Sequence, residues 1–250
     1  MQTTTRTDIV KLILLGATGM VGAGVLREAL ADPQVTEVLS IGRRPCGVAH
    51  PKLRELLMPD LFDVASVEQE LVGWDACVWA VGITILGRNE ADYERVTVDL
   101  TLLWARELLR LNPGFSFCYC SAAGAGGRAK WARIRHRAEV ALAAMPFRHV
   151  ASVRPGFIKP GPGIRSGVRV YRIAITLLTP FFPLLLKIFP QYVTTSERLG
   201  RAMVRVVEGR AGEGILESRD INRVGGMSAF EDEKRKHGGH GGHGGSQRRV

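Results

Sequence analysis

Apolar runs alternate with amphipathic stretches along most of this 250-residue chain. Strand-like runs fall at residues 9–15, 35–41, 74–81, 115–121 and 149–154. A weaker one lies at 53–57, and 214–217 supplies a late strand. Between them, helical patterns occupy 21–31, 92–111, 128–144 and 196–208. Such alternation predicts right-handed βαβ crossovers and an α/β fold, a doubly wound parallel sheet covered on both faces. No internal repeat is visible beyond it.

The texture changes after Arg154. The stretch from Arg154 to Gly163 reads as a loop, because its prolines and glycines deny it regular structure. Residues 173–186 then form an uncharged, largely apolar run broken by Pro180 and Pro183. It falls short of the roughly 20 apolar residues a bilayer span needs. With its basic and aromatic flank (Arg169, Tyr171, Arg172, Lys187, Tyr192), it reads as a pocket cover or dimer surface, or as a peripheral membrane contact through 173–189. Residues 8–225 are thus expected to form one domain, with 155–195 as its loop and cover region, small and mostly helical. Residues 226–250 carry a charge run and the repeat His237-Gly-Gly-His240-Gly-Gly-His243, a composition that cannot fold alone. They read as a disordered tail without a catalytic role.

Composition narrows the picture a little. An apolar fraction of 46% supports a real core. The net charge of +10 suits nucleic acid, an anionic membrane or a phosphate-bearing cofactor, but the cations are scattered and no nucleic-acid-binding motif is present. Cys46, Cys77, Cys118 and Cys120 lack metal-site spacing, so no metal is expected. Without a signal peptide's apolar region, the default is a reducing cytoplasm with free thiols. Cys118 and Cys120 share one strand face and read as small buried residues rather than a redox pair.

The sharpest chemical signal is the run from Lys11 through Gly16-Ala17-Thr18-Gly19-Met20-Val21-Gly22, where a strand leads directly into a helix. Gly16 permits the tight turn, Gly19 lets backbone N–H groups approach a pyrophosphate, and Gly22 allows close helix–sheet packing. An NAD-binding version carries an acid at the tip of the second strand. Here that tip reads Ile41-Gly42-Arg43-Arg44, so charge-assisted pairing with a 2′-phosphate favours NADP(H) over NAD(H), with Arg43 the first candidate and Arg44 the second. Asp60 and Leu61 mark the third strand's exit, where an acid would meet the adenine amino group. Ala80, Val81 and Gly82 end the fourth strand and would let backbone pass beneath the cofactor.

Together with the strand-end Ser121, the segment from Trp131 through Arg135 to Glu139, and Arg154-Pro155-Gly156, these motifs resemble the short-chain dehydrogenase/reductase superfamily. More narrowly, they resemble its atypical NAD(P)-binding branch, near epimerase-like and Tat-interacting-protein-like members, over about residues 8–225. The resemblance implies a Rossmann-like fold. It also implies a reaction centre of serine, tyrosine and lysine, the last two spaced Tyr-x-x-x-Lys on one helix face, where the lysine lowers the tyrosine pKa. Ser121 takes the serine's place, but Trp131 stands at the tyrosine position and Arg135 at the lysine position. Indole is a donor only, and a guanidinium does not readily deprotonate. Arg135 retains the capacity to hold the nicotinamide ribose, and Ser121 stands beside it among the expected cofactor contacts. His136 lies about 100° around the helix from Arg135. Tyr119 shares the strand face of Ser121 but lies deeper, and Tyr93 sits on a neighbouring helix facing solvent or an interface. All three read as structural. Pro155 and Gly156 would skirt the nicotinamide, with Phe157 and Ile158 as its wall, or would simply end a strand.

Two functions follow from these residues. One is an NADP-dependent oxidoreductase or epimerase-like enzyme for a small, fairly apolar carbonyl or hydroxyl compound, with Ser121 and Arg135 at its reaction centre. The other is a non-catalytic NADP(H)-sensing or scaffold protein, which the Trp131 and Arg135 replacements favour. Either is compatible with a membrane-peripheral position.

Overall fold

A computed structural model describes residues 9–83, 89–163 and 182–227. The chain runs β1 (Val10–Leu15), α1 (Met20–Ala31), β2 (Val35–Gly42), β3 (Leu53–Leu57), a 3-10 helix (Val64–Leu71) and β4 (Ala76–Trp79). After α2 (Glu90–Glu94), a π-helical turn (Arg95–Asp99) leads into α3 (Leu100–Leu111), β5 (Ser116–Cys120), α4 (Lys130–Ala143) and β6 (Val150–Arg154). The remainder is β7 (Phe157–Lys159), α5 (Phe182–Ile188), β8 (Val193–Thr195), α6 (Ser196–Val207), β9 (Gly214–Glu217) and α7 (Ser218–Gly226).

Seven strands form one parallel sheet in the order β3-β2-β1-β4-β5-β6-β9. Strand order reverses between β1 and β4, the switch point at which open α/β sheets bind ligands. The period of two divides each strand between two cores. Leu12, Leu14, Ala76, Val78 and Cys118 face the core that includes α1, α6 and α7. Ile13, Leu15, Cys77, Trp79, Phe117 and Tyr119 face α3 and α4. This is the Rossmann-like sheet, with both faces covered, that the run of apolar segments predicts.

Close backbone contacts seat the helices. Gly24 on α1 and Gly200 on α6 meet so tightly that a Cβ on Gly200 would lie 2.6 Å from the Gly24 carbonyl oxygen. A Cβ on Gly24 would lie 2.5 Å from the Ser196 oxygen. Any larger residue there would push the two helices apart.

Three local expectations need correction. The stretch 154–163 is not wholly loop: Phe157–Lys159 pairs in parallel with Val193–Thr195. Pro155 and Pro160 bracket that strand without entering it, so each of its residues keeps an N–H donor, and Phe157 N–H donates to the Tyr192 carbonyl at 2.7 Å. The helix expected over 92–111 is interrupted by the π-helical turn. A helix not foreseen, α7, reaches Gly226, and its Glu217–Asp220 capping box supplies the start signal. Most of the 173–186 run and residues 228–250 of the expected tail lie outside the described residues. Among the described residues no helix is long and apolar enough to cross a membrane.

Candidate functional site

The glycine elbow forms the first half of the site. Gly16 adopts φ +92°, and a Cβ there would lie 2.6 Å from the Ala80 carbonyl group on the neighbouring strand's exit. Gly19 N–H donates to the Gly16 carbonyl at 2.9 Å, closing the turn. A Cβ on Gly22 would collide with that same carbonyl. Thus Gly16 and Gly22 are fixed by sterics, while Gly19 is the exposed N-cap of α1. No side chain caps this helix and its first turn carries no acid. The N–H groups that begin an α-helix are therefore open to an anion, at the positive end of the helix dipole. Ala17 is buried, Thr18 is exposed, and Met20 and Val21 are half-buried around the turn.

A cleft of about 830 Å³ opens beside this elbow. Ala17, Thr18 and Gly19 line its upper end, and Ala23, Leu26 and Leu30 its wall along α1. Arg44, Pro45, Cys46 and His50 form the opposite side. Both arginines are exposed; Arg44, the second sequence candidate, lines the cleft. Neither guanidinium has a hydrogen-bond or ion-pair partner among the described residues.

Asp60 is exposed, and its Oδ1 accepts from Phe62 N–H at 2.9 Å. The Leu61 carbonyl is occupied by Trp104 Nε1 at 2.8 Å. Both residues thus shape the turn after β3. Ala80 and Val81 are half-buried and Gly82 is exposed where β4 ends.

The second half of the site is built on β5, α4 and β6. Ser121 follows β5 and is buried, and its hydroxyl donates to Glu139 Oε1 at 2.5 Å. Arg154, at the end of β6, grips the same carboxylate through Nε (2.9 Å) and Nη2 (2.5 Å), and its Nη1 reaches Glu217 at 3.1 Å. His136 Nδ1 lies 3.1 Å from Glu139 Oε2. Burial pushes the Glu139 carboxyl up, but the hydrogen bonds from Arg154, Ser121 and His136 outweigh it and hold the group below the ordinary carboxylate value. A hydroxyl that gives its single proton to a carboxylate offers only lone pairs elsewhere.

Arg135, one helical turn before Glu139 on α4, makes a separate set of contacts. Its Nε donates to the Tyr93 hydroxyl at 2.8 Å and its Nη1 to the Cys120 carbonyl at 3.2 Å. Its Nη2 is 3.7 Å from where a Gly82 Cβ would stand. The guanidinium therefore lies at the carboxyl ends of β4 and β5. Tyr93 corrects an expectation: it is 2% exposed rather than facing solvent. Its pairing with Arg135 links residues 42 apart in sequence, which no local pattern signals. It stands just before the π-helical turn, a feature that often marks functional sites. Trp131 is half-buried, its ring edge 3.5 Å from the Cβ position of Gly124. Tyr119 is buried, and burial raises its phenol well above the usual value.

Pro155 is buried and its carbonyl accepts from Ala123 N–H. Gly156 packs against the Tyr192 carbonyl and donates its N–H to Ser218 Oγ at 2.8 Å. Of the two proposed wall residues, Phe157 is half-buried and Ile158 belongs to the buried core. The thiols fit the structural reading. Burial carries Cys118 well above its usual value and Cys120 to about 11, although Arg135 opposes the latter.

No family model matches the chain. Leucinostatins biosynthesis cluster protein T of Purpureocillium lilacinum is 29% identical over 115 residues, 45% of this chain and 43% of that protein. The chain thus matches less than half of that relative's length. Protein FMP52, mitochondrial, of Chaetomium globosum is 25% identical over 236 residues, covering 85% of this chain and 96% of that one. The Bordetella bronchiseptica enzyme WbmH in complex with NAD+ superposes with a TM-score of 0.62 at 17% identity, over 84% of this chain and 75% of that chain. A short chain dehydrogenase family protein from Francisella tularensis gives 0.60 at 14% identity, over 83% and 96%. At these identities the structural likeness establishes the Rossmann-like fold and agrees with the resemblance drawn from the motifs.

Proposed function

We propose that this chain binds a nicotinamide dinucleotide across the carboxyl edge of its sheet, NADP(H) in preference to NAD(H). In this reading it acts as an atypical oxidoreductase or epimerase-like enzyme on a small apolar carbonyl or hydroxyl compound. The observation that carries the reading is the Gly16–Gly22 elbow at the β1/β4 switch point, where an uncapped, acid-free helix N-terminus opens onto a cleft. That donor set fits a pyrophosphate. Gly16, Ala17, Thr18, Gly19, Met20, Val21 and Gly22 would hold it, with Arg44 and Arg43 at the 2′-phosphate. Asp60 and Leu61 would border the adenine, Ala80 to Gly82 would form the floor, Arg135 would take the nicotinamide ribose, and Pro155 with Gly156 the nicotinamide side. When bound, the cofactor supplies a hydride donor or acceptor.

The chain's own residues would then orient the substrate and handle its proton. Ser121, its proton committed to Glu139, accepts a hydrogen bond from a substrate hydroxyl. Tyr93 receives Arg135 Nε–H on its oxygen and keeps its own O–H to donate, a tyrosine–cation pair assembled from two helices where the resemblance expects one. Titration calorimetry with NADPH and NADH tests the cofactor reading. NADPH should bind more tightly, and Arg44→Ala should weaken it by about 10- to 100-fold, the worth of a charged hydrogen bond, while leaving NADH unchanged. Equal affinities for the two nucleotides would overturn the NADP preference.

The bond from Ser121 to Glu139, together with Trp131, favours a second reading, cofactor binding without turnover. Oxidation of NADPH with a broad carbonyl panel separates the two. Tight binding with no oxidation supports the sensor or scaffold.

A further inference from the structure

We infer that the segment from Phe182 to Tyr192 is a lipid-facing surface that seats this protein on an anionic membrane. Exposed apolar side chains are ordinary when scattered, and informative when they gather. Ten large hydrophobic residues are exposed among the described residues. Four of them fall within nine positions: Leu184 (55% exposed), Ile188 (53%), Phe189 (45%) and Tyr192 (65%). Leu184 and Ile188 are one helical turn apart on α5 and share a face. Phe189 N–H continues the helical bonding to the Leu185 carbonyl, and Tyr192 N–H closes the next turn on Phe189.

This surface is braced from behind. Phe182 is 3% exposed, its ring lies 6.5 Å from that of Phe157, and Lys159 Nζ sits 5.3 Å over it. The Tyr192 carbonyl accepts the Phe157 N–H as β7 pairs with β8. The exposed side chains are therefore carried on a fixed platform.

Charge decides the occupant. From Pro155 to Ser196 the sequence holds Lys159, Arg165, Arg169, Arg172 and Lys187, and no Asp or Glu at all. Elsewhere in the described residues exposed cations commonly stand beside carboxylates, as Arg54 does with Glu70 and Arg137 with Glu94. A cationic segment without carboxylates is repelled by nothing on an acidic lipid surface. Lys187 is exposed within the apolar row, and Tyr192 brings a polar tip to its margin. Apolar bodies with polar tips suit a helix lying in the lipid–water interface.

Flotation of the full chain with vesicles of phosphatidylcholine, with and without phosphatidylserine, tests this directly. The chain should float with the anionic vesicles, stay below with the neutral ones, and release as salt rises. Ile188→Glu and Phe189→Glu should each lower the bound fraction at least tenfold while far-UV circular dichroism and the melting temperature stay unchanged. Lys187→Glu serves as a variant that keeps the apolar row and should weaken binding to the anionic vesicles. No flotation at low salt overturns the inference. So does undiminished binding by the Ile188 and Phe189 variants, which would assign attraction to charge elsewhere. A dimer by analytical ultracentrifugation that Ile188→Glu converts to monomer, with vesicle binding intact, would give the surface to a second copy of the chain and overturn it too.

Discussion

Glu139 and Glu208 are both buried, both lie beside an arginine, and sit at opposite edges of the sheet. Glu139, at the carboxyl edge, receives Ser121, two donors of Arg154 and the His136 ring. Glu208, at the amino edge after α6, is bonded by Arg210 Nη1 at 2.9 Å, and its Oε1 has no partner among the described residues. Asp32 approaches the same arginine at 3.6 Å. Burial pushes the Glu208 carboxyl up to about 7, the Asp32 charge adds to this, and Arg210 opposes it. Hydrogen bonding therefore decides the charge state of a buried acid, with burial common to both. The edge that holds the candidate site has the carboxylate that stays ionised.

The largest expected difference comes from removing each charge. Glu139→Gln should cost about 3–5 kcal/mol at neutral pH, because it leaves Arg154 without its buried counter-ion. The lower end is expected, since Glu217 remains within 3.1 Å of Arg154. Glu208→Gln should be close to neutral at pH 8, where the native carboxylate is charged with one oxygen unsatisfied. Urea unfolding of the two variants measures both. Equal losses would break the distinction between the edges.

Next in size is the pH dependence. A carboxyl raised from 4.5 to about 7 on folding binds more protons in the native than in the unfolded state between those values. Stability should therefore fall as pH rises from about 4.5 to 7, by about 3 kcal/mol, and level off above. Glu139 works in the opposite sense and another window. Its contribution is present above the usual carboxylate value and is lost as pH falls through its lowered native one. Unfolding midpoints from pH 3 to 8 would then show an acid limb removed by Glu139→Gln and a neutral limb removed by Glu208→Gln. A flat native profile from pH 5 to 7.5 would contradict the environment assigned to Glu208.

The two halves of the candidate site were unequally legible in the sequence, for a related reason. The elbow depends on neighbours: Gly16, Gly19 and Gly22 serve a turn and a helix start within seven positions, so their spacing carries the geometry. Strand β3 at Leu53–Leu57 and β9 at Gly214–Glu217 were likewise local apolar patterns and match their expected bounds. Ser121 lies at its predicted strand end, but the carboxylate that accepts its hydrogen bond lies 18 residues on and carries no local signal. Tyr93 looked like a surface residue because its partner Arg135 belongs to another helix. The pairing of β7 with β8 was missed because Pro155, Gly156 and Pro160 concealed a strand only three residues long. Which of the two adjacent arginines lines the cleft carries no sequence signal, since neighbouring positions in a turn differ only in side-chain direction.

The smallest effect is expected at Ser121, and it sharpens what the carboxyl edge does. Ser121→Ala removes one hydrogen bond to Glu139, yet Oε1 still accepts from Arg154 Nε and Oε2 keeps both Arg154 Nη2 and His136. No buried charge is left alone, so the cost should be about 1 kcal/mol, the ordinary net worth of one hydrogen bond. NADPH affinity should change little, because the pyrophosphate donors lie on the elbow. If the proposed chemistry holds, NADP+-dependent oxidation of a hydroxyl compound should drop by far more than stability does, since the lone pairs of Ser121 would be the lost contact to the substrate hydroxyl. A stability loss near that of Glu139→Gln would instead make the hydroxyl an equal member of the ion-pair cluster, and the edge would then be a structural clamp in which Ser121 has no spare role.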